Sequence, residues 1–254
     1  MLRTVLLFSL LFCATVVHAS PAKLAIVIDD IGNHRADLRW TELPGDLTFA
    51  ILPYTPFAHA FAIKAHFSRK EVLLHMPMEA VHGNRLGPGA ITMDMSAQQI
   101  KLTLTRALES LPYVSGMNNH MGSEFTQHTL SMQAVMETLQ NKQLFFLDSR
   151  TSAKTIAEDM AKLYGVPTTR RNVFLDNQRD SRSLQRQFDR ALEIAKQRGH
   201  AVLIGHPYPE TLSFLQQALP QLNNSDIELV YASRLSRIAE PGSSGLLLQP
   251  RQQN

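Results

Sequence analysis

Short apolar runs in this chain end repeatedly in an acid, an amide or a histidine. Lys23-Leu24-Ala25-Ile26-Val27-Ile28 runs into Asp29-Asp30-Ile31-Gly32, and Glu71-Val72-Leu73-Leu74 into His75. Residues 113–117 lead to Asn118-Asn119-His120, residues 144–147 to Asp148, residues 168–175 to Asp176, and residues 201–205 to His206. Such runs, with their β-branched bias, read as strands buried on both faces. Residues 47–52 and 227–231 add two more. Amphipathic stretches separate them: 55–69, 97–110 behind the N-cap Ser96, 129–141, 155–164, 183–198 closed by Gly199, and 210–219. Seven or eight strands alternating with helices make parallel βαβ units. A barrel is favoured over an open sheet, because polar residues after nearly every strand then converge on one mouth. An open sheet would spread them along an edge. Neighbouring strand residues face opposite ways, so Asp29 and Asp30 are both solvated at little cost only if the first strand has ended before them.

The first nineteen residues stand outside this pattern. A short basic start, Met1-Leu2-Arg3, precedes an almost continuous apolar run, residues 4–17, and Val17-His18-Ala19 supplies small residues for cleavage after Ala19. Residues 1–19 are therefore expected to be a cleaved signal peptide that sends the protein to the periplasm, with no stable membrane span left after processing. Cys13, the single cysteine, leaves with it, so the mature fold holds without disulfides. Residues 20–240 read as one domain and 241–254, rich in Gly, Ser, Gln and Arg, as a disordered tail. The net charge of +3 comes without long Lys/Arg runs, which argues against a nucleic-acid partner.

The ends of the strands bring together carboxylates and three histidines, His75, His120 and His206. A hydrolytic zinc centre uses three His/Asp/Glu ligands and an open position for water. A neighbouring carboxylate takes the water's proton, and a histidine across the site protonates the leaving group. These residue types suit that chemistry. Of the remaining histidines, His18 leaves with the signal segment, while His34, His59, His66, His82, His128 and His200 lie in polar or helical stretches and read as surface residues. Asp176-Asn177 reads equally as a turn or a substrate contact.

Five motifs in fixed order then define a resemblance: Ile28-Asp29-Asp30-Ile31-Gly32, Leu74-His75-Met76-Pro77-Met78-Glu79, Asn118-Asn119-His120-Met121-Gly122-Ser123, Phe146-Leu147-Asp148-Ser149-Arg150-Thr151 and Gly205-His206-Pro207. Over residues 23–238 the chain resembles the divergent polysaccharide deacetylase family, a branch of the NodB-type carbohydrate esterase/deacetylase superfamily. The resemblance implies a distorted seven-stranded (β/α) barrel and metal-dependent deacetylation of an N-acetylated glycan. It implies Asp29 as catalytic base, His206 as the acid for the leaving group, and Asp148 as the acid that orients or tunes a catalytic partner. Asp30 and His75 match metal ligands. Where the superfamily has a second histidine four residues on, this chain has Glu79, and its arginine-proline motif is absent. His120 is the replacement third ligand for a divalent ion, most simply zinc, with Glu79 a weaker candidate. Asn118, Asn119, Arg150 and Glu79 are expected to touch substrate. A non-catalytic glycan- or partner-binding protein on the same barrel is the alternative. A glycosidase is disfavoured, because glycosidic cleavage needs two carboxylates and no histidine-rich rim.

Overall fold

The computed structural model describes residues 21–236 apart from His82, Asn84 and Asn224. The segments expected to be a signal peptide and a tail, residues 1–19 and 241–254, and His82 therefore lie outside the described residues. The strands are β1 (Ala22–Ile31), β2 (Leu47–Ile51), β3 (Glu71–Met78), β4 (Val114–Met121), β5 (Phe145–Asp148), β6 (Thr168–Arg170), β7 (Val173–Phe174), β8 (His200–Gly205) and β9 (Ile227–Leu229). The helices are α1 (Ala58–Phe67), α2 (Ala97–Glu109), α3 (Thr129–Asn141), α4 (Ala157–Leu163), α5 (Ser181–Arg198) and α6 (Pro209–Leu222). A 3-10 helix, Arg35–Glu42, lies between β1 and β2.

All strand pairs are parallel, in the order β6-β5-β4-β3-β2-β1-β8-β7, with β9 on the lower end of β1. The two strands at the ends of that order are consecutive in the chain. The Arg171 amide donates to the Asp148 carbonyl of β5, and the next amide, Asn172, donates to the Val202 carbonyl of β8. The single strand read over 168–175 is thus two short pieces. One segment hands its bonds from one edge of the sheet to the other, so the sheet curls into an eight-stranded half-barrel, one strand more than expected because the seventh is split into β6 and β7, with β9 as an addition.

Alternation along the strands sorts the core into two layers. Ala25 and Val27, Ala50, Leu73, Phe145 and Leu147, and Val202 and Ile204 form the barrel interior, closed at the bottom by Val230, Ala232 and Leu235. The alternate residues, among them Ile26, Ile28, Phe49, Leu74, Met117, Phe146 and Leu203, pack outward under the helices against Phe61, Leu104, Leu139 and Ala191. Ser96 caps α2 by accepting from the Gln99 amide, with Gln99 reaching back to the Ser96 amide. The left-handed Gly199 (φ 80°) closes α5.

Candidate metal centre and proton-transfer site

The inward parity of each strand, continued upward by one step, selects the residues at the mouth. Asp29 follows Ala25 and Val27, His75 follows Leu73, Asn118 and His120 follow Gly116, and His206 follows Ile204. Asp30 has the opposite parity, yet it belongs to the same site. The first strand does not stop at Ile28 as expected. It continues through a β-bulge, where three residue steps on β1 (Ile28 to Ile31) match two on β2 (Phe49 to Ile51), and Asp30 takes a left-handed φ of 60°. The bulge turns both carboxylates toward one mouth. Left-handed residues also end β4 (Met121, φ 50°) and follow β5 (Arg150, φ 48°). Such backbone strain costs on the order of 1–3 kcal/mol per residue and concentrates at functional sites.

Asp30, His75 and His120 converge. Asp30 Oδ1 lies 2.8 Å from His120 Nδ1 and 3.1 Å from His75 Nε2, and the two ring nitrogens are 3.1 Å apart. Three atoms bearing lone pairs face one another, and a shared proton satisfies one such pair at a time. A cation at their centre satisfies all three. Ligands about 2.0–2.1 Å from a tetrahedral ion stand roughly 3.3 Å apart, a few tenths of an ångström from the observed spacings. The cluster therefore fits a small divalent ion, with two nitrogens and a carboxylate suited to zinc-type chemistry. Burial opposes ionisation of Asp30, but bonds from His120 and His75 outweigh it and hold the carboxyl well below its usual range. Burial lowers the His75 pKa, but Asp29 and Asp30 outweigh it and leave the ring raised.

Asn118 ties the cluster to Asp29. Its Oδ1 accepts from His75 Nδ1 (2.7 Å), and its Nδ2 donates to Asp29 Oδ1 (2.8 Å) and Ser149 Oγ (3.2 Å). Because a carboxylate only accepts, the orientation of the amide is dictated, and with Nδ1 protonated the Nε2 of His75 is free to bind a cation. Asp29 is almost wholly buried. Desolvation raises its pKa, partly offset by His75 and His206, so it is a carboxylate with an appetite for a proton. Across the mouth, His206 Nδ1 donates to Asp176 Oδ1 (2.8 Å), while Asp176 Oδ2 accepts from the His206 amide (2.6 Å) and Thr211 Oγ1 (2.8 Å). Burial alone would lower the His206 pKa. The bond and charge of Asp176 outweigh it and push the ring up to about 9.

Several expected roles are corrected by this geometry. Asp148 does not reach the mouth: with Phe146 it has the outward parity, and its oxygens accept from the Arg150 amide (2.8 Å) and Thr155 Oγ1 (3.1 Å). The carboxylate that orients His206 is Asp176, read from the sequence only as a turn or a substrate contact. Asn118 is completely buried among its partners and cannot meet substrate. Asn119 stitches loops, donating to the Met121 carbonyl (2.7 Å) and accepting from the Ser149 amide (2.9 Å). Glu79 lies outside the three-residue cluster. Its Oε2 accepts from the Met93 amide (2.6 Å) and ties down the long loop after β3. Arg150 is half-buried, with its amide on Asp148 and its carbonyl bound by Arg171. A cleft of about 240 Å³ opens beside Asp30 and His120, walled by Asn33, Pro53, Thr55 and Arg85.

A parallel barrel with paired acids on its first strand, histidines on its third and fourth, and one just past its eighth, has a deacetylase-type fold. The chain belongs to the divergent polysaccharide deacetylase family, whose model matches residues 26–236. It is similar to the uncharacterised protein YibQ of Escherichia coli K12, with 39% identity over 230 residues, covering 89% of this chain and 72% of that one. Among solved structures it is similar to an uncharacterised protein of Agrobacterium tumefaciens C58, with a TM-score of 0.82, 23% identity, and 85% of this chain and 90% of that one covered. A CE4-family pseudoenzyme from Bacillus anthracis has the fold with a TM-score of 0.52 and 13% identity, over 86% of this chain and 66% of that one. Among the described residues, no helix is long and apolar enough to cross a membrane.

Proposed function

We propose that this protein is a periplasmic metal-dependent hydrolase that removes acetyl groups from an N-acetylated cell-envelope glycan by cleaving a non-peptide carbon–nitrogen bond. The observation that carries the reading is the flanking of one three-ligand cluster by a buried, proton-seeking carboxylate, Asp29, and a protonated imidazole, His206. Asp30, His75 and His120 hold the ion, which we take to be zinc. When bound, it supplies Lewis-acid polarisation of the acetyl carbonyl and acidifies a water. Asp29 takes that water's proton, its position set by Asn118. His206, held as the charged form by Asp176, gives a proton to the departing amine nitrogen. The products are acetate and a free amino sugar.

The test uses the mature protein, beginning at Ser20. Near one equivalent of divalent ion per chain is expected, lost in His75→Ala and in His120→Ala, together with acetate release from N-acetylated glycan oligomers. Asp29→Asn should keep the metal and lose roughly 10²–10⁴-fold in turnover, the usual range for a general base. Stoichiometric metal with no acetate released from any N-acetylated glycan would replace this reading with a non-catalytic glycan binder on the same barrel.

A further inference from the structure

The residue that joins the two halves of this machinery lies outside every motif discussed so far. Arg171 sits at the seam where the chain passes from β5 to β8, its own amide on the Asp148 carbonyl. Its guanidinium turns back toward the mouth. Nε donates to the Ser149 carbonyl (2.7 Å) and Nη2 to the Arg150 carbonyl (2.8 Å), clamping the left-handed turn at the tip of β5. The Ser149 thus held accepts from the Asn118 amide that also donates to Asp29. The guanidinium also lies 3.8 Å over the centre of the Phe174 ring. Phe174 in turn stacks on His206, with centroids 6.1 Å apart and planes inclined by 28°.

We infer that Arg171 is a positioning residue that holds the proton-accepting side, through Ser149 and Asn118, in register with the proton-donating side, through Phe174 and His206. A planar, five-donor cation is the only side chain that can fork across two carbonyls and stack on an aromatic face at once. Lysine keeps the charge but loses the fork and the flat face. The inference rests on the hydrolase reading for its kinetic consequence and on geometry alone for its effect on His206. The groups facing His206 are Asp176 from the segment after β7, Asp29 and Asp30 from β1, and the rings of Phe174 and Tyr208. Without the clamp, Phe174 no longer backs the imidazole, and the ring drifts from Asp176.

The experiment compares wild type with Arg171→Lys and Arg171→Met in the full mature chain. Acetate release is measured with the metal loaded, and the His206 ring is titrated by NMR in metal-free protein. Both variants are expected to lose about 10–100-fold in kcat with KM and metal content unchanged, while the His206 midpoint falls from about 9 toward the ordinary value near 6.5. A variant that melts earlier but keeps wild-type kcat and His206 titration would overturn the inference, leaving Arg171 a structural seam residue. A rise in KM with kcat unchanged would also overturn it, in favour of a substrate contact. If Arg171→Met does not fold, Arg171→Lys decides alone. If the wild type releases no acetate from any glycan, the hydrolase reading fails and the NMR titration judges this inference by itself.

Discussion

Asn118 uses both ends of its amide inside the protein, and that makes it more informative than a ligand. Replacing it with alanine orphans the inward faces of His75 and Asp29, and each buried group left without a partner costs about 1–3 kcal/mol. Asn118→Ala is expected to lower stability by that order in denaturant melts and to weaken metal binding, because His75 loses the bond that fixes its tautomer. Asp176 governs the opposite side. Asp176→Asn should bring the His206 midpoint down from about 9 toward 6.5, and the alkaline limb of the activity profile with it. The sign for stability follows from the folded pKa being raised. The His206–Asp176 contribution is fully present below about pH 6.5 and is lost as pH rises through about 9. Melting temperatures of wild type and Asp176→Asn should therefore converge across that window. The sequence made Asp29, Asp30, His75, His120 and His206 visible because acids and histidines are conspicuous after apolar runs. It hid the difference between Asp148 and Asp176, which both follow such runs. Counting parity back from each carboxylate separates them: Asp176 shares its face with the inward Phe174, and Asp148 with the outward Phe146.

The elements themselves were largely legible, since α2 and α3 begin and end within a residue of the hydrophobic periodicity. What the periodicity could not disclose was the bulge in β1. A bulge leaves no apolar signature; it is a change in pairing count, and only the neighbouring strand reveals it. The same holds for the break between β6 and β7, whose residues look like one continuous strand until their partners on β5 and β8 are known. Strand β4 shows the packing limit of the barrel. A Cβ on Gly116 would overlap the Phe145 ring and stand 2.7 Å from the Phe145 carbonyl, a backbone atom that cannot step aside. Gly116→Ala is expected to cost about 1–3 kcal/mol and to lower metal affinity, because Asn118 and His120 lie two and four residues further along the same strand. Urea unfolding and metal titration of the one variant check both.

At the scale of the whole molecule, the strained strand tips and the Asp30–His75–His120 cluster occupy one end of the barrel, so an ion held by the cluster should act on global stability. An ion bound only by the folded state adds about 2.7 kcal/mol at a hundredfold excess over its dissociation constant. Chelation is accordingly expected to lower the melting temperature of the wild type but not of His120→Ala, which calorimetry would show. The pairing of β1 has a further consequence, for the order in which the molecule can be made. The strand that carries both acids is the earliest to emerge in synthesis, yet one of its edges waits for β8 and part of the other for β9. Asp30, His75 and His120 all lie in the first half of the chain, and so does β2, across which the bulge at Asp30 forms, but a nascent chain holding all three still lacks the strand that pairs with Lys23–Ile28 just below the acids. Assembly of the centre is thus deferred to the last strands, and long-range parallel closure of this kind is intrinsically slow. A ribosome-bound intermediate ending before residue 200 would contain every metal-binding side chain and capture no metal.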